Sequence, residues 1–517
     1  MNKFIISILF LSIGLSVGAN SPNGDKKYNL NIFQQIDLEN VWFQAGNVAG
    51  IKQMPSFFPS EIKFNFNQSK GNFHSIFSGE TNQSYNFSSR SFQRIRNTIL
   101  YGSFNYSKNF ERNLNYSNTN EPAINYPYLL ADTIGNDTYE REFFCIKGSV
   151  ASALSSNFDW GLDVDYQVGM ASQNRDPRPE NKVMQCKISP GILYKQECFK
   201  LGAHLFYGYY NEDINVSVVQ EGIQYTLFQL HGPGAFVYHS SSSFYRLYQQ
   251  NQFGGGFQVQ FKKNNVSDIL FSGYQYFKQT VDDGRGGDMA TWAMVKNDSK
   301  MDGINWNVGN IISINLGEKL HLLSAQVCVT KKLGTEFVQR LENIGATDLE
   351  RWITYAKEQK YNSLKTNAEI KYQLMVKDEN YQMKSLFQVG LNYYSFQEEY
   401  HIPNQQMDHS TLLFESSFLK LFPLKNSKIS AEIKLNYRNK IDSKVCLETT
   451  NYLIDKIYLP EFNFLTKAYI SPGFAIGYQF PMKRILSNYF INADFNWFHS
   501  TNNLNRTNLS FSTGLIF

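Results

Sequence analysis

The chain has 517 residues, with 49 Lys and Arg against 45 Asp and Glu, a formal net charge of +4. So small an excess on so long a chain leaves no basic footprint for nucleic acid. Charged residues are 18% and aromatic residues 15%, with 42 Phe and 32 Tyr, and mean hydropathy is −0.38. This is too polar for a bundle of membrane helices, and poorer in charge than an ordinary soluble domain. An alternating membrane barrel, apolar outside and polar inside, gives this mixture.

Lys3 precedes an apolar run, Phe4–Val17, and Val17-Gly18-Ala19 offers small residues for cleavage. Residues 1–19 therefore read as a secretory signal peptide. No Cys lies near the cleavage site, so no lipoprotein anchor is expected. Residues 20–58 read as a short periplasmic lead, with Asp37–Gly50 (DLENVWFQAGNVAG) as a small helix or clamp near a barrel mouth. That length is far below a globular plug domain.

From Pro59 to Phe517 the chain reads as strands. Ile62, Phe64 and Phe66 alternate with Lys63, Asn65 and Asn67; Trp160, Leu162, Val164, Tyr166 and Val168 alternate with Gly161, Asp163, Asp165 and Gln167. The same period of two recurs at Phe257–Phe261, Ala368–Val376, Ile429–Tyr437 and Tyr489–Trp497. Short connections such as Lys263–Ser267, Leu316–Lys319, Lys377–Asn380 and Pro423–Ser427 alternate with long ones. The long ones are Asn109–Thr138, Ala171–Asn181, Asn211–Gln252, Thr280–Asp302, Gly334–Tyr361, His401–Asp408 and Lys440–Leu465, with Gln224–Leu230 placed inside a loop. Short turns on one side and long loops on the other predict a transmembrane antiparallel β-barrel of about eighteen strands in an outer membrane. The last stretch alternates Leu509, Phe511, Thr513, Leu515 and Phe517 with small polar residues, as a closing strand that the barrel insertion machinery reads.

Several motifs bear on chemistry. Asp282, Asp283 and Asp288 in DDGRGGD, around Arg285, offer oxygens for Ca²⁺ at a bend, or form a solvated turn. Arg175, Asp176 and Arg178, stiffened by Pro177 and Pro179, read as a partner-docking or gating loop, or as Arg–Asp pairs that satisfy each other. His231 and His239, with Tyr245, occupy the longest loop, which is long enough for a lid or constriction. Asp408-His409-Ser410 spells triad letters, but neighbours on a strand point to opposite faces, so it supports no nucleophilic catalysis. No phosphate loop, dinucleotide fingerprint or zinc spacing is present, so neither cofactor nor enzymatic activity is expected. Cys145, Cys186, Cys198, Cys328 and Cys446 lack metal or redox spacing and read mostly as buried strand thiols, with room for one disulfide.

NVAG (Asn47–Gly50), NYPYLLADTIG (Asn125–Gly135), NRDPRPENK (Asn174–Lys182), LHGPGAF (Leu230–Phe236) and SSFYRLY (Ser242–Tyr248) resemble a Bacteroidota outer-membrane β-barrel family known only as a domain of unknown function. NVAG is also similar to the Asn-Pro-Ala-Gly start of long-chain fatty-acid transporter-like barrels, with Val48 in place of Pro. The first resemblance implies a Gram-negative outer membrane and a neighbourhood of TonB-dependent uptake systems. The expectation is a transport channel or an accessory subunit of an uptake system. The alternative is a structural or assembly subunit that docks through its external loops. Expected partners are outer-membrane lipid and the insertion machinery, then a TonB-dependent transporter or a surface lipoprotein.

Overall fold

The computed structural model describes residues 28–54, 58–132, 138–220, 222, 225–241, 243–284, 296–343, 350–447, 451–482 and 487–517. Eighteen antiparallel strands form one closed sheet. The ring is sealed where the first strand, Ser60–Gly71, pairs with the last, Asn505–Ile516, in a register running from Glu61 opposite Ile516 to Gly71 opposite Arg506. The carboxyl-terminal stretch thus closes the barrel as its alternation predicts. At one end the strands turn tightly: Lys263 pairs with Val266 around Asn264, and Leu316 with Lys319 around Gly317, both at positive φ.

Outward rows are apolar. Phe253, Phe257 and Phe261 stand off one strand, Ile433, Leu435 and Tyr437 off another, and Leu509 and Phe511 off the last, all exposed on the protein surface. A soluble molecule does not leave so wide an aromatic and aliphatic surface uncovered; lipid covers it here. The protein is an outer-membrane β-barrel. Its short-turn end faces the periplasm, as in other bacterial barrels of this kind.

Three expectations change. Gly334–Tyr361, read as a loop, continues a hairpin whose arms are Lys319–Asn343 and Glu350–Lys377, of 25 and 28 residues. About ten residues cross a bilayer, so this hairpin stands well clear of the membrane. Tyr225–Gly232 is a strand after all, though not of the wall. It pairs with Ala235–Ser241 and with Leu130–Asp132 in a separate three-stranded sheet. All five cysteines are free; Cys145, Cys186 and Cys328 are half-buried and Cys198 and Cys446 exposed, so the expectation of buried thiols fails.

An eighteen-stranded ring is wider than its own side chains can fill. Residues 28–54 occupy its short-turn end from within. They form the helix Ile32–Glu39, a turn of helix Val41–Gln44 and a 3₁₀ segment Val48–Gln53. Asn40 and Asn47 cap the latter two, accepting from the Phe43 and Ala49 amides at 3.1 Å each. Ile32, Phe33, Ile36 and Leu38 are all buried, because the helix meets wall on more than one side. The signal-peptide reading concerns residues outside the described ones.

Candidate functional site

The inner segment is fastened around the circumference. The Gln479 side chain accepts from the Leu30 amide at 2.7 Å, Asn29 donates to the Met383 carbonyl at 3.1 Å, and Lys377 pairs with Glu39 at 3.0 Å. Across the ring Trp42 Nε1 donates to Gln260 Oε1 at 2.6 Å, and Phe33 stacks on Phe92. NVAG sits on a seat of glycines. Gly161 opposes Gly191 on the neighbouring strand, and Gly202 lies one strand further. A Cβ at Gly161 would come within 2.8 Å of the Ala49 nitrogen, and one at Gly202 within 2.5 Å of the Trp42 ring. Only a wall without side chains lets this backbone approach so closely. Asn47 fixes the position, its amide donating to the carbonyls of Ile192 and Ala203 and to Gln258.

The long-loop end is filled by other parts of the chain. The segment around Pro122–Asn125, the three-stranded sheet and the helical stretch Ile454–Thr466 turn into the lumen. Leu129, Ala131, Phe228 and Leu230 pack on Ile454, Ile457, Tyr458 and Phe462. Tyr128 and Leu130 pack on inward side chains of the wall, among them Tyr248, Phe277 and Val281.

Buried charge holds these loops in register. Glu212, fully buried, accepts from the Asn120 amide at 2.6 Å, from the Asn125 and Asn181 side chains at 2.6 and 2.7 Å, and from the Tyr210 hydroxyl at 2.7 Å. Nearby Glu121 has its pKa lifted to about 7, by burial first and by the Glu212 charge second. Arg246, fully buried, pairs with Asp283 at 2.7 Å and with Asp298 at 3.3 Å. His231 completes the cluster, 3.5 Å from Asp298 and 3.2 Å from Glu336. Burial alone would depress its pKa, but Asp298 and Glu336 outweigh that and raise it to about 9. His231 is thus a cation that ties the inner sheet to two wall strands.

The sequence candidates separate accordingly. His231 and Asp283 belong to this cluster. Asp282 faces the opposite side of its strand and accepts from Asn297 at 2.6 Å. The Ca²⁺ reading of its motif therefore loses convergence at Asp282 and Asp283; Arg285 and Asp288 lie outside the described residues. His239 is exposed, its ring 5.3 Å from Phe244. Tyr245 turns away from the lumen, beside the buried Arg246. Asp176 accepts from Arg178 at 2.7 Å and from the Val219 and Gln220 amides, so this loop satisfies itself rather than presenting an unpaired arginine there. Arg175 is exposed.

A cavity of about 610 Å³ opens between the loops and one side of the wall. Lys332, Lys365, Tyr394, Glu398 and His409 from the wall, and Tyr126 and Phe462 from the loops, line it. Sequence reading passed over Lys332, Lys365 and Glu398, though their inward phase was available from the alternation of Ala368–Val376 and its neighbours.

No curated protein matches the chain. Among solved structures, the copper transporter OprC is 7% identical, covering 89% of this chain and 80% of its own, with a TM-score of 0.41. The outer-membrane transporter YddB from Escherichia coli is 10% identical over 88% and 80%, with a TM-score of 0.41. BauA, the ferric preacinetobactin receptor from Acinetobacter baumannii, is 9% identical over 89% and 81%, with a TM-score of 0.40. Residues 48–517, from the inner 3₁₀ segment through the closing strand, match the model of DUF6850, and the chain belongs to that family of unknown function.

Proposed function

We propose that this outer-membrane barrel is a gated transport protein. The observation that carries the reading is the filling of one lumen at both ends by segments of the same chain, with a lined cavity on the way. A rigid structural cylinder has no need of a wall shaved to glycine so that a strap can lie against it. The strap is held by hydrogen bonds, the Lys377–Glu39 ion pair and two apolar clusters that include Ile32, Phe33, Ile36 and Trp42, so gating loosens it locally rather than expelling it whole. Reconstituted in planar bilayers, the protein is expected to be silent at rest and to show discrete conductance steps when both fillings are loosened, as in Gly161→Val combined with Glu212→Ala. Membranes that stay silent with that variant, in correctly folded barrels, would remove the reading.

A second reading has its own support. The hairpin of Lys319–Asn343 and Glu350–Lys377 reaches beyond the membrane. It offers a docking arm to a partner such as a TonB-dependent transporter or a surface lipoprotein. Recovery of the barrel alone on affinity purification from its native host would count against this role.

A further inference from the structure

The wall beneath the loops carries a two-dimensional pattern set by register. Thr330 opposes Lys365, Lys365 opposes Phe396, and Phe396 opposes His409, forming one row across four strands. The next row reads Lys332, Ser363, Glu398 and Met407. All eight residues line the cavity. Lys332 and Lys365 are therefore diagonal neighbours on adjacent strands, close enough for one group to touch both.

The charges here are unevenly engaged. Glu398 already accepts from the Tyr126 and Tyr361 hydroxyls at 2.7 and 3.2 Å, and Glu461 from Ser75 and the Ile76 amide at 2.7 and 2.9 Å. Among the described residues neither lysine has a carboxylate within ion-pair distance. Lys332 donates to the Tyr126 carbonyl at 3.0 Å, and Lys365 lies over the Tyr394 ring at 5.4 Å. His409 is only 4% exposed, its ring set among Tyr394, Phe396 and Phe462, and its Nε2 meets no hydrogen-bond partner. The His409 Nε2, buried without a partner, costs free energy unless something polar arrives, and the two lysines on the same stretch of wall carry charge that no carboxylate answers. The opposite side, with Ile124, Ile457, Phe462 and Leu465, is apolar.

We propose that this cavity binds an organic anion of drug-like size, a carboxylate on an aromatic or branched apolar body. Lys332 and Lys365 hold the carboxylate, with the His409 Nε2 as a further hydrogen-bonding group. The loop residues cover the apolar body. The volume of 610 Å³ lies within the range of pockets that enclose such ligands. The inference takes its purpose from the transport reading, but its test does not.

The probe is 2-naphthoate, measured by equilibrium dialysis against the purified full-length barrel, with 2-naphthalenemethanol as its neutral counterpart. Expected is saturable binding at one site per chain, at least tenfold tighter for the carboxylate than for the alcohol. Lys332→Met and Lys365→Met should each weaken carboxylate binding about tenfold, the loss of one charge-assisted contact. Ala123→Trp, an exposed position on the cavity lining, should block both probes without touching the wall, so the result does not depend on the lysine variants folding. Equal binding of the two probes, or binding unchanged in Ala123→Trp, would overturn the proposal. Saturable binding in a protein that passes no solute in liposomes would sink the transport reading alone. Flux without such binding would sink this one.

Discussion

Raising the pH should loosen the outer loops through one side chain, His231. The imidazole sits between Asp298 and Glu336, and its pKa is raised to about 9 from an ordinary 6.5. A folded-state pKa above the free value means that the contribution to docking is complete below about pH 6.5 and is lost as pH climbs through about 9. The gap of roughly two and a half units is worth about 3 kcal/mol, or about two orders of magnitude in the docked-to-undocked ratio. A reporter thiol makes the ratio readable. Ala131, fully buried in the inner sheet, is replaced by Cys in a background without the five native thiols, and maleimide labelling is followed from pH 6.5 to 9.5. Rates are normalised to Cys at exposed Ala123 to remove thiol ionisation. Labelling at 131 should rise about a hundredfold over that range, and His231→Gln should flatten the profile. Arg246, Lys360, Tyr128 and Tyr400 also lie in or against this cluster, so the Gln variant is the comparison that isolates the imidazole. An unchanged slope in His231→Gln would refute the argument, as would equal protection at both pH extremes.

Gly161→Val pushes a branched side chain into the Ala49 backbone, and overpacking of this kind costs about 1–3 kcal/mol. It should fall on the strap alone: the barrel keeps its heat-modifiable mobility on gels while limited proteolysis within residues 28–54 becomes at least fivefold faster. Glu212→Ala leaves the Asn120, Asn125, Asn181 and Tyr210 donors without their acceptor. Losing bonds to a charged group costs about 1.5–3 kcal/mol each at most, so limited proteolysis should cut within residues 113–132 while the strands remain intact. On Ser487–Ser500, Phe495 packs outward against Phe474 with the rings tilted, whereas Asp494 reaches inward to Lys434. Phe495→Arg should destabilise the barrel in a urea titration by about 2–4 kcal/mol, and Asn492→Arg by far less. Similar losses for the two would contradict the assignment of faces.

The lipid-crossing wall was legible because a bilayer imposes one rule on every strand that meets it. Phe257, Val259 and Phe261 face hydrocarbon, so they must be apolar in strict alternation. The rule lapses above the membrane. Among the described residues from Phe337 to Gln359 both faces of the hairpin meet water, the apolar period fades, and the backbone goes on pairing regardless. Gln224–Leu230 was hidden for another reason: its strand sits inside the lumen, where Leu227, Phe228 and Leu230 are buried together and no period of two survives. Of the charge cluster only His231 and Asp283 stood out as candidates, and nothing joined them. Arg246, Asp283, Asp298, Glu336 and His231 converge through barrel register and loop placement, which no local spacing encodes. NVAG was visible as a motif, while its glycine seat at Gly161, Gly191 and Gly202 was scattered over three strands.

The inner segment also constrains how the molecule is made. It is enclosed by a ring whose seam joins Ser60–Gly71 to Asn505–Ile516, the two strands furthest apart in the chain. Ile516 and Phe490, at and beside that seam, share one apolar cluster with Ile32, Phe33 and Ile51. A ring that locked shut first would have to admit these helices afterwards through a narrow mouth, on a tether of a few residues. Curling the strands about them avoids this. The segment then serves as a mandrel during assembly, and weakening its apolar surface should slow the sealing of the seam even where the finished barrel is scarcely less stable.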